Sequence, residues 1–209
     1  MRRRVAILIS GRGSNMAALI EAARDPSYPA EISLVLSNRP GAAGLATAEA
    51  AGIATRVVDH TAFPDRTSFD SAMQRELEAA EISIVCLAGF MRILTPGFIE
   101  AWAGRMLNMH PSLLPAFKGL HPHRQALQAG VATHGCTVHF VVPELDSGPT
   151  VIQAEVPILP GDTEDVLAAR VLAEEHRLYP VGLAMLARGE VSLDGRVPLA
   201  DCTPKASSS

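Results

Sequence analysis

No apolar run in this sequence approaches the roughly 18 residues that a membrane-spanning helix requires. The one N-terminal stretch that resembles a secretion signal fails on length. Met1-Arg2-Arg3-Arg4 is followed by apolar residues only from Val5 to Ile9 before a serine-glycine loop, too short for the apolar core of a signal peptide. Basic charge is equally scarce. The 18 Lys and Arg against 22 Asp and Glu give a net charge of -4 and a pI near 6.0. No long basic run is present to meet the phosphates of a nucleic acid or an anionic membrane. Cysteine is sparse and odd in number: Cys86, Cys136 and Cys202 stand far apart, without C-x-x-C spacing. Together these absences point to a cytoplasmic protein in a reducing compartment that acts on small molecules.

What is present is apolar mass, 48% of 209 residues, enough to bury one sizeable core. Val5 to Ile9 is apolar on both alternating faces and breaks into Ser10-Gly11, the pattern of a buried parallel strand. A helix follows from Ser14 or Asn15 to Arg24. Then come a strand at Ile32 to Leu36, a helix at Ala42 to Ala51, a short strand at Ala54 to Val58, a helix at Arg66 to Ala80 and a strand at Ile82 to Ala88. Such alternation predicts a parallel sheet with right-handed crossovers. Gly135 to Val142 and Thr150 to Val156 read as an antiparallel pair at its edge. Asp162 or Thr163 caps a last helix, through Leu178, bent at Pro180 and on to Ala187, with Leu167, Val171 and Leu178 as its apolar stripe and Glu175 at the border. The expected fold is α/β: a single Rossmann-like domain over residues 1–195, with a mostly parallel sheet, helices on both faces and an antiparallel edge. A flexible tail over 196–209 completes the chain.

Four segments carry chemistry. Gly11-Arg12-Gly13-Ser14-Asn15 lies between a strand and a helix start, where backbone N–H groups and the helix dipole favour an anion. The third glycine of a dinucleotide fingerprint is missing, and the second strand ends in Ser37-Asn38-Arg39 rather than an acid. A phosphate fits this loop; a bare glycine turn is the other reading. In Leu107-Asn108-Met109-His110-Pro111, Asn108 and His110 project the same way from an extended chain. Asp146, in Leu145-Asp146-Ser147-Gly148-Pro149, stands where a carboxylate could reach and orient a histidine. Amide, imidazole and carboxylate make an oxyanion and proton-transfer site. Alternatively, Asn108 caps a turn, His110 is a satisfied core histidine and Asp146 starts a turn. Gly89 to Leu94, apolar apart from Arg92, reads locally as a connector. It shares with Gly11 to Asn15 and Asn108 to His110 a position at the carboxyl end of a strand, which puts three motifs on one rim. His121-Pro122-His123 hints at zinc, but no third ligand stands at metal spacing, so no metal is expected.

Ser10 to Asn15, Leu87 to Leu94, Asn108 to Pro115, Gly119 to His121 with His123 to Leu127, and Leu145 to Pro149 occur in the order found in the folate-dependent formyltransferases. The chain resembles that family over roughly residues 5 to 190. The resemblance implies transfer of a formyl group from 10-formyltetrahydrofolate, used as co-substrate without a metal, to the amine of glycinamide ribonucleotide in purine biosynthesis. It assigns catalysis to Asn108, His110 and Asp146. The ribonucleotide phosphate falls to Gly13, Ser14 and Asn15, and the ribose to Glu175. The folate pocket falls to Arg66, Met91, Arg92, Ile93, Leu94 and Asn108, largely through backbone groups around the pterin. Arg12 reads as a variable surface position, and Leu172 stands where some relatives carry a polar contact residue. On this reading His110 and Asn108 stabilise the tetrahedral oxyanion, and His110 or a water beside Asp146 moves the proton. The assembly expected is a monomer or homodimer. Family members acting on tRNA carry a further basic domain and those hydrolysing the folate a regulatory one; the length here favours neither. A non-catalytic nucleotide-binding module would explain the glycine loop and leave the Asn108, His110, Asp146 set idle.

Overall fold

The computed structural model describes residues 2–195; the tail expected at 196–209, with Cys202, lies outside them. In chain order the elements are β1 (Arg3–Ile9), α1 (Ser14–Ala23), β2 (Ala30–Ser37), α2 (Ala43–Ala50), β3 (Ala54–Val57), α3 (Arg66–Ala79), β4 (Ile84–Leu87), α4 (Pro96–Ala101), β5 (Met106–His110), α5 (Pro122–Ala129), β6 (Thr133–Phe140), β7 (Thr150–Pro157) and α6 (Glu164–Arg188). They build one seven-stranded sheet in the order β3-β2-β1-β4-β5-β6-β7. The first five strands pair parallel, while β6 runs antiparallel to β5 and β7 antiparallel to β6.

The apolar run of β1 is explained by its neighbours. Val5, Ile7 and Ile9 point into a core with Met16 and Leu19 of α1 and Leu167, Val171 and Leu183 of α6. Ala6 and Leu8 point the other way, against Phe69, Met73 and Leu77 of α3 and Phe98 of α4. A strand buried on both faces needs apolar residues at every position.

The expected elements recur with shifted ends. The edge strand expected at Gly135 to Val142 runs from Thr133 to Phe140, because Thr133 already pairs with Pro157 across the ladder. α4 was not expected: six residues are too few to display a helical period, although Thr95 at the cap and Pro96 in the first turn were its local signals. Of the two candidate caps of α6, Thr163 accepts from the Val166 N–H. Asp162 instead pairs with Arg170, whose guanidinium holds its carboxyl down at about 2. α6 continues as helix through Pro180. No helix among the described residues is long and apolar enough to cross a membrane.

Tyr179 of α6 is fully buried, and its hydroxyl lies 2.9 Å from the Leu87 carbonyl and 3.1 Å from that of Leu107. It ties the long helix to β4 and β5 one residue before Asn108. Tyr179→Phe is expected to cost about 1 kcal/mol, the net worth of such a bond, read as a lower urea midpoint with an unchanged slope. An unchanged midpoint would mean the hydroxyl holds nothing.

Candidate active site

The strand order reverses between β1 and β4, and in open α/β sheets a crevice opens there beyond the strands' carboxyl ends. A cavity of ≈ 360 Å³ occupies that place. Ser10 to Asn15 line it after β1, Ala88, Gly89 and Met91 after β4, and Arg39 after β2. A second cavity, ≈ 530 Å³ between α1 and α2, is walled half by alanines, and its charged residues, Glu21 and Arg24, pair with each other.

Gly13 precedes α1 in the left-handed region, φ 68°, and a Cβ there would come within 3.2 Å of Met16. Glycine therefore lets the chain turn into the helix with its first N–H groups open to the cavity. Arg12, expected as plain surface, lines the same cavity, and Arg39 joins it unforeseen. Among the described residues neither guanidinium is paired with a carboxylate.

Asn15 and Glu175, expected to serve one ligand, are in contact: Asn15 Nδ2 donates to Glu175 Oε2 at 2.7 Å. Glu175 is buried rather than a solvated border residue, because α6 packs directly on α1. Burial raises its carboxyl pKa, opposed by the bond from Asn15. Asn15 Oδ1 is buried with no partner. The folded chain thus holds the Glu175 proton more tightly than the unfolded chain does. Stability should fall as pH rises through the window from the ordinary glutamate value to the raised one. Glu175→Gln, which keeps an acceptor for Asn15, should gain more in melting temperature at pH 8 than at pH 4. An equal gain at both would contradict the burial argument.

β5 sends Leu107 and Met109 into one core and Asn108 and His110 to the opposite face. Across the ladder Asn108 faces His139 and His110 faces Thr137. Asn108 Nδ2 and His139 Nε2 are 3.1 Å apart, and His139 Nδ1 is 2.9 Å from the Phe140 carbonyl. A carbonyl only accepts, so Nδ1 carries the hydrogen and Nε2 accepts from the Asn108 amide. Burial lowers the His139 pKa, in keeping with a neutral ring. His139 was not foreseen. The signal for it was there: Thr137 and His139 alternate with Cys136, Val138 and Phe140 along one strand.

Asp146 arrives on a turn at φ 48°, a conformation aspartate tolerates. Its Oδ2 accepts from the Gly119 N–H at 2.9 Å and lies 3.5 Å from His110 Nδ1. Its Oδ1 is 3.8 Å from His139 Nε2. The structure thus brings Asn108, His110 and Asp146 together and inserts His139 among them. His110 is less open than expected: its Nε2 donates to the Phe117 carbonyl at 3.0 Å, so both ring nitrogens face acceptors. The turn itself depends on Gly148, where a Cβ would fall 1.8 Å from the Phe140 carbonyl oxygen.

Of the remaining expected residues, Met91 and Ile93 are 66% and 67% exposed, and Arg92 is exposed beside them. Leu94 is buried in the core, so only its backbone faces outward. The Met91 N–H, one of the backbone groups expected to meet a ligand, already donates to Ser10 Oγ at 2.8 Å. Arg66 opens α3 one turn before Asp70, whose carboxylate accepts from the Thr95 N–H at 2.7 Å and so brings α3 beside the Gly89 to Leu94 loop. His123 Nδ1 lies 3.1 Å from His134 Nε2. Among the described residues no group of three or more His, Cys, Asp or Glu could hold a metal ion.

A Rossmann-like sheet thus carries a glycine loop after β1 and an amide-imidazole-carboxylate cluster at the end of β5, an arrangement suited to group transfer. Residues 3–183 match the family model described as formyl transferase, and the chain belongs to that family. Phosphoribosylglycinamide formyltransferase of Escherichia coli (strain K12) is 46% identical over 189 residues, 90% of this chain and 89% of that protein. The human trifunctional purine biosynthetic protein adenosine-3 is 51% identical over 192 residues, 92% of this chain. The chain spans only about a fifth, 19%, of that protein's length. The crystal structure of phosphoribosylglycinamide formyltransferase from Brucella melitensis superposes with a TM-score of 0.87 at 53% identity, covering 90% of this chain and 97% of that one.

Proposed function

We propose that the chain is a phosphoribosylglycinamide formyltransferase. It transfers the formyl group of 10-formyltetrahydrofolate to the amine of glycinamide ribonucleotide, giving N-formylglycinamide ribonucleotide and tetrahydrofolate in de novo purine synthesis. The observation that carries this reading is that the glycine loop lining the cavity follows β1 and the Asn108, His110, Asp146 cluster gathers at the end of β5, both at the carboxyl ends of the same run of parallel strands. One domain over residues 1–195 holds both substrate sites, as a monomer or homodimer working on small molecules in the cytoplasm, with no nucleic acid partner.

The phosphate rests on the N–H groups of Gly13, Ser14 and Asn15, with Arg12 and Arg39 supplying opposite charge. Glu175 accepts from the ribose. The folate lies over exposed Met91 and Ile93, with Arg66, Arg92, the Leu94 backbone and Asn108 around it. The neutral amine attacks the formyl carbon, forming a C–N bond and a tetrahedral oxyanion. Asn108 donates to that oxygen, as does the His110 Nε2–H now held by Phe117. As the oxyanion collapses, the bond from the carbon to the folate nitrogen breaks. The amine's proton passes to that nitrogen through His110 or a water beside Asp146.

The direct test is turnover of 10-formyltetrahydrofolate with and without glycinamide ribonucleotide. Product that forms without the ribonucleotide would make the chain a hydrolase, and none in either case would make it a binder. Gly13→Val should raise the KM for the ribonucleotide at least about tenfold and leave that for the folate unchanged, since the side chain blocks approach to the N–H groups. Equal losses for both would reduce the loop to a structural turn.

A further inference from the structure

We infer that the Ser10 hydroxyl is a positioning group that sets the folate loop against the phosphate loop. Ser10 follows β1 and directly precedes Gly11 to Asn15, and only 6% of it is exposed. Its Oγ donates to Asn38 Oδ1 at 2.6 Å and accepts from the Met91 N–H at 2.8 Å. Its own N–H donates to the Gly89 carbonyl at 3.2 Å. A hydroxyl has one hydrogen to give. Because Asn38, fully buried at the end of β2, takes that hydrogen, a lone pair is left aimed at Met91. Asn38 is held in turn by its N–H on the Ile9 carbonyl and by the His60 N–H on its own carbonyl.

One side chain therefore joins the ends of β2, β1 and β4 on the floor of the cavity that both loops line. The loop from Gly89 to Leu94 has two side-chain anchors besides the backbone bond at Gly89: Ser10 Oγ on the Met91 N–H and Asp70, through the Thr95 N–H, at its end. Without the hydroxyl Gly89 stays tied by its backbone bond, but Met91 is released, and exposed Met91 and Ile93 lose their fixed distance from the phosphate loop. The phosphate loop keeps its own support, since the Gly44 N–H donates to the Gly11 carbonyl and the Ala17 N–H to that of Gly13. The inference rests on the proposed folate and ribonucleotide sites.

Ser10→Ala should raise the KM for 10-formyltetrahydrofolate roughly five- to tenfold, the loss of one hydrogen bond. It should lower kcat because the formyl carbon is misplaced, while the KM for the ribonucleotide moves less than about twofold. Ser10→Thr, which keeps the hydroxyl, should restore most of the loss. Amide hydrogen exchange in the same proteins should quicken at Met91 in Ser10→Ala and stay unchanged at Ala17 of α1. An active parent with an unaltered folate KM in Ser10→Ala, equal rises in both KM values, or unaltered exchange at Met91 would overturn the inference alone. A parent that turns over neither substrate would overturn the proposed function, and the inference with it.

Discussion

Asn108→Ala is expected to lower kcat by roughly 10²–10³, the usual consequence of removing one oxyanion donor. The magnitude follows from how firmly the amide is held. Asn108 sits on a central strand, paired parallel with β4 and antiparallel with β6, and its Nδ2 donates to a neutral His139. One amide hydrogen is committed to that bond, which fixes the rotamer and leaves the other for the reacting oxygen without reorganisation. The KM for the ribonucleotide should stay near the parent's, because the phosphate loop hangs on β1 and α1. A kcat within a few-fold of the parent's would remove Asn108 from the oxyanion site.

Asp146→Asn should cost more, roughly 10²–10⁴ in kcat, the range spanned by a positioned proton-transfer group. The carboxylate touches the Gly119 N–H and stands within 3.5 Å of His110 and 3.8 Å of His139. Asparagine still offers Gly119 an acceptor, so the loop after β5 should stay in place and the melting temperature should change little. What disappears is the negative charge between two imidazoles, both buried, where screening by water is weak. Near-normal turnover in this variant would return Asp146 to the status of a turn residue, the alternative that local sequence alone leaves open. The comparison with Asn108→Ala separates a donor to the substrate from a group that acts through His110.

The periodic parts of the fold were legible because they depend on neighbours along the chain. Apolar runs at Val5 to Ile9 and Ile84 to Leu87, Gly13 before α1, and the alternation of strand and helix up to β5 all report local requirements. α4 escaped because six residues carry too little pattern, and the inward turn of the Leu94 side chain was not legible because a short loop shows no period.

Asn108, His110 and Asp146 could be singled out from sequence order, yet their partners could not. The Asn15 to Glu175 bond joins residues 160 apart, Ser10 to Met91 joins residues 81 apart, and Asn108 meets His139 only because β6 returns antiparallel beside β5. Strand order and register decide such contacts, and these are set by packing the whole sheet between two layers of helices rather than by any local preference. Sequence by itself thus determined the fold class and the family resemblance. Only the tertiary structure decided that Glu175 is buried against Asn15, that His139 orients Asn108, that the Met91 N–H is spent on Ser10, and that the loops Gly11 to Asn15 and Gly89 to Leu94 meet over one hydroxyl. Most polar atoms inside a packed core find partners, and which partner each one finds depends on elements far away in the chain.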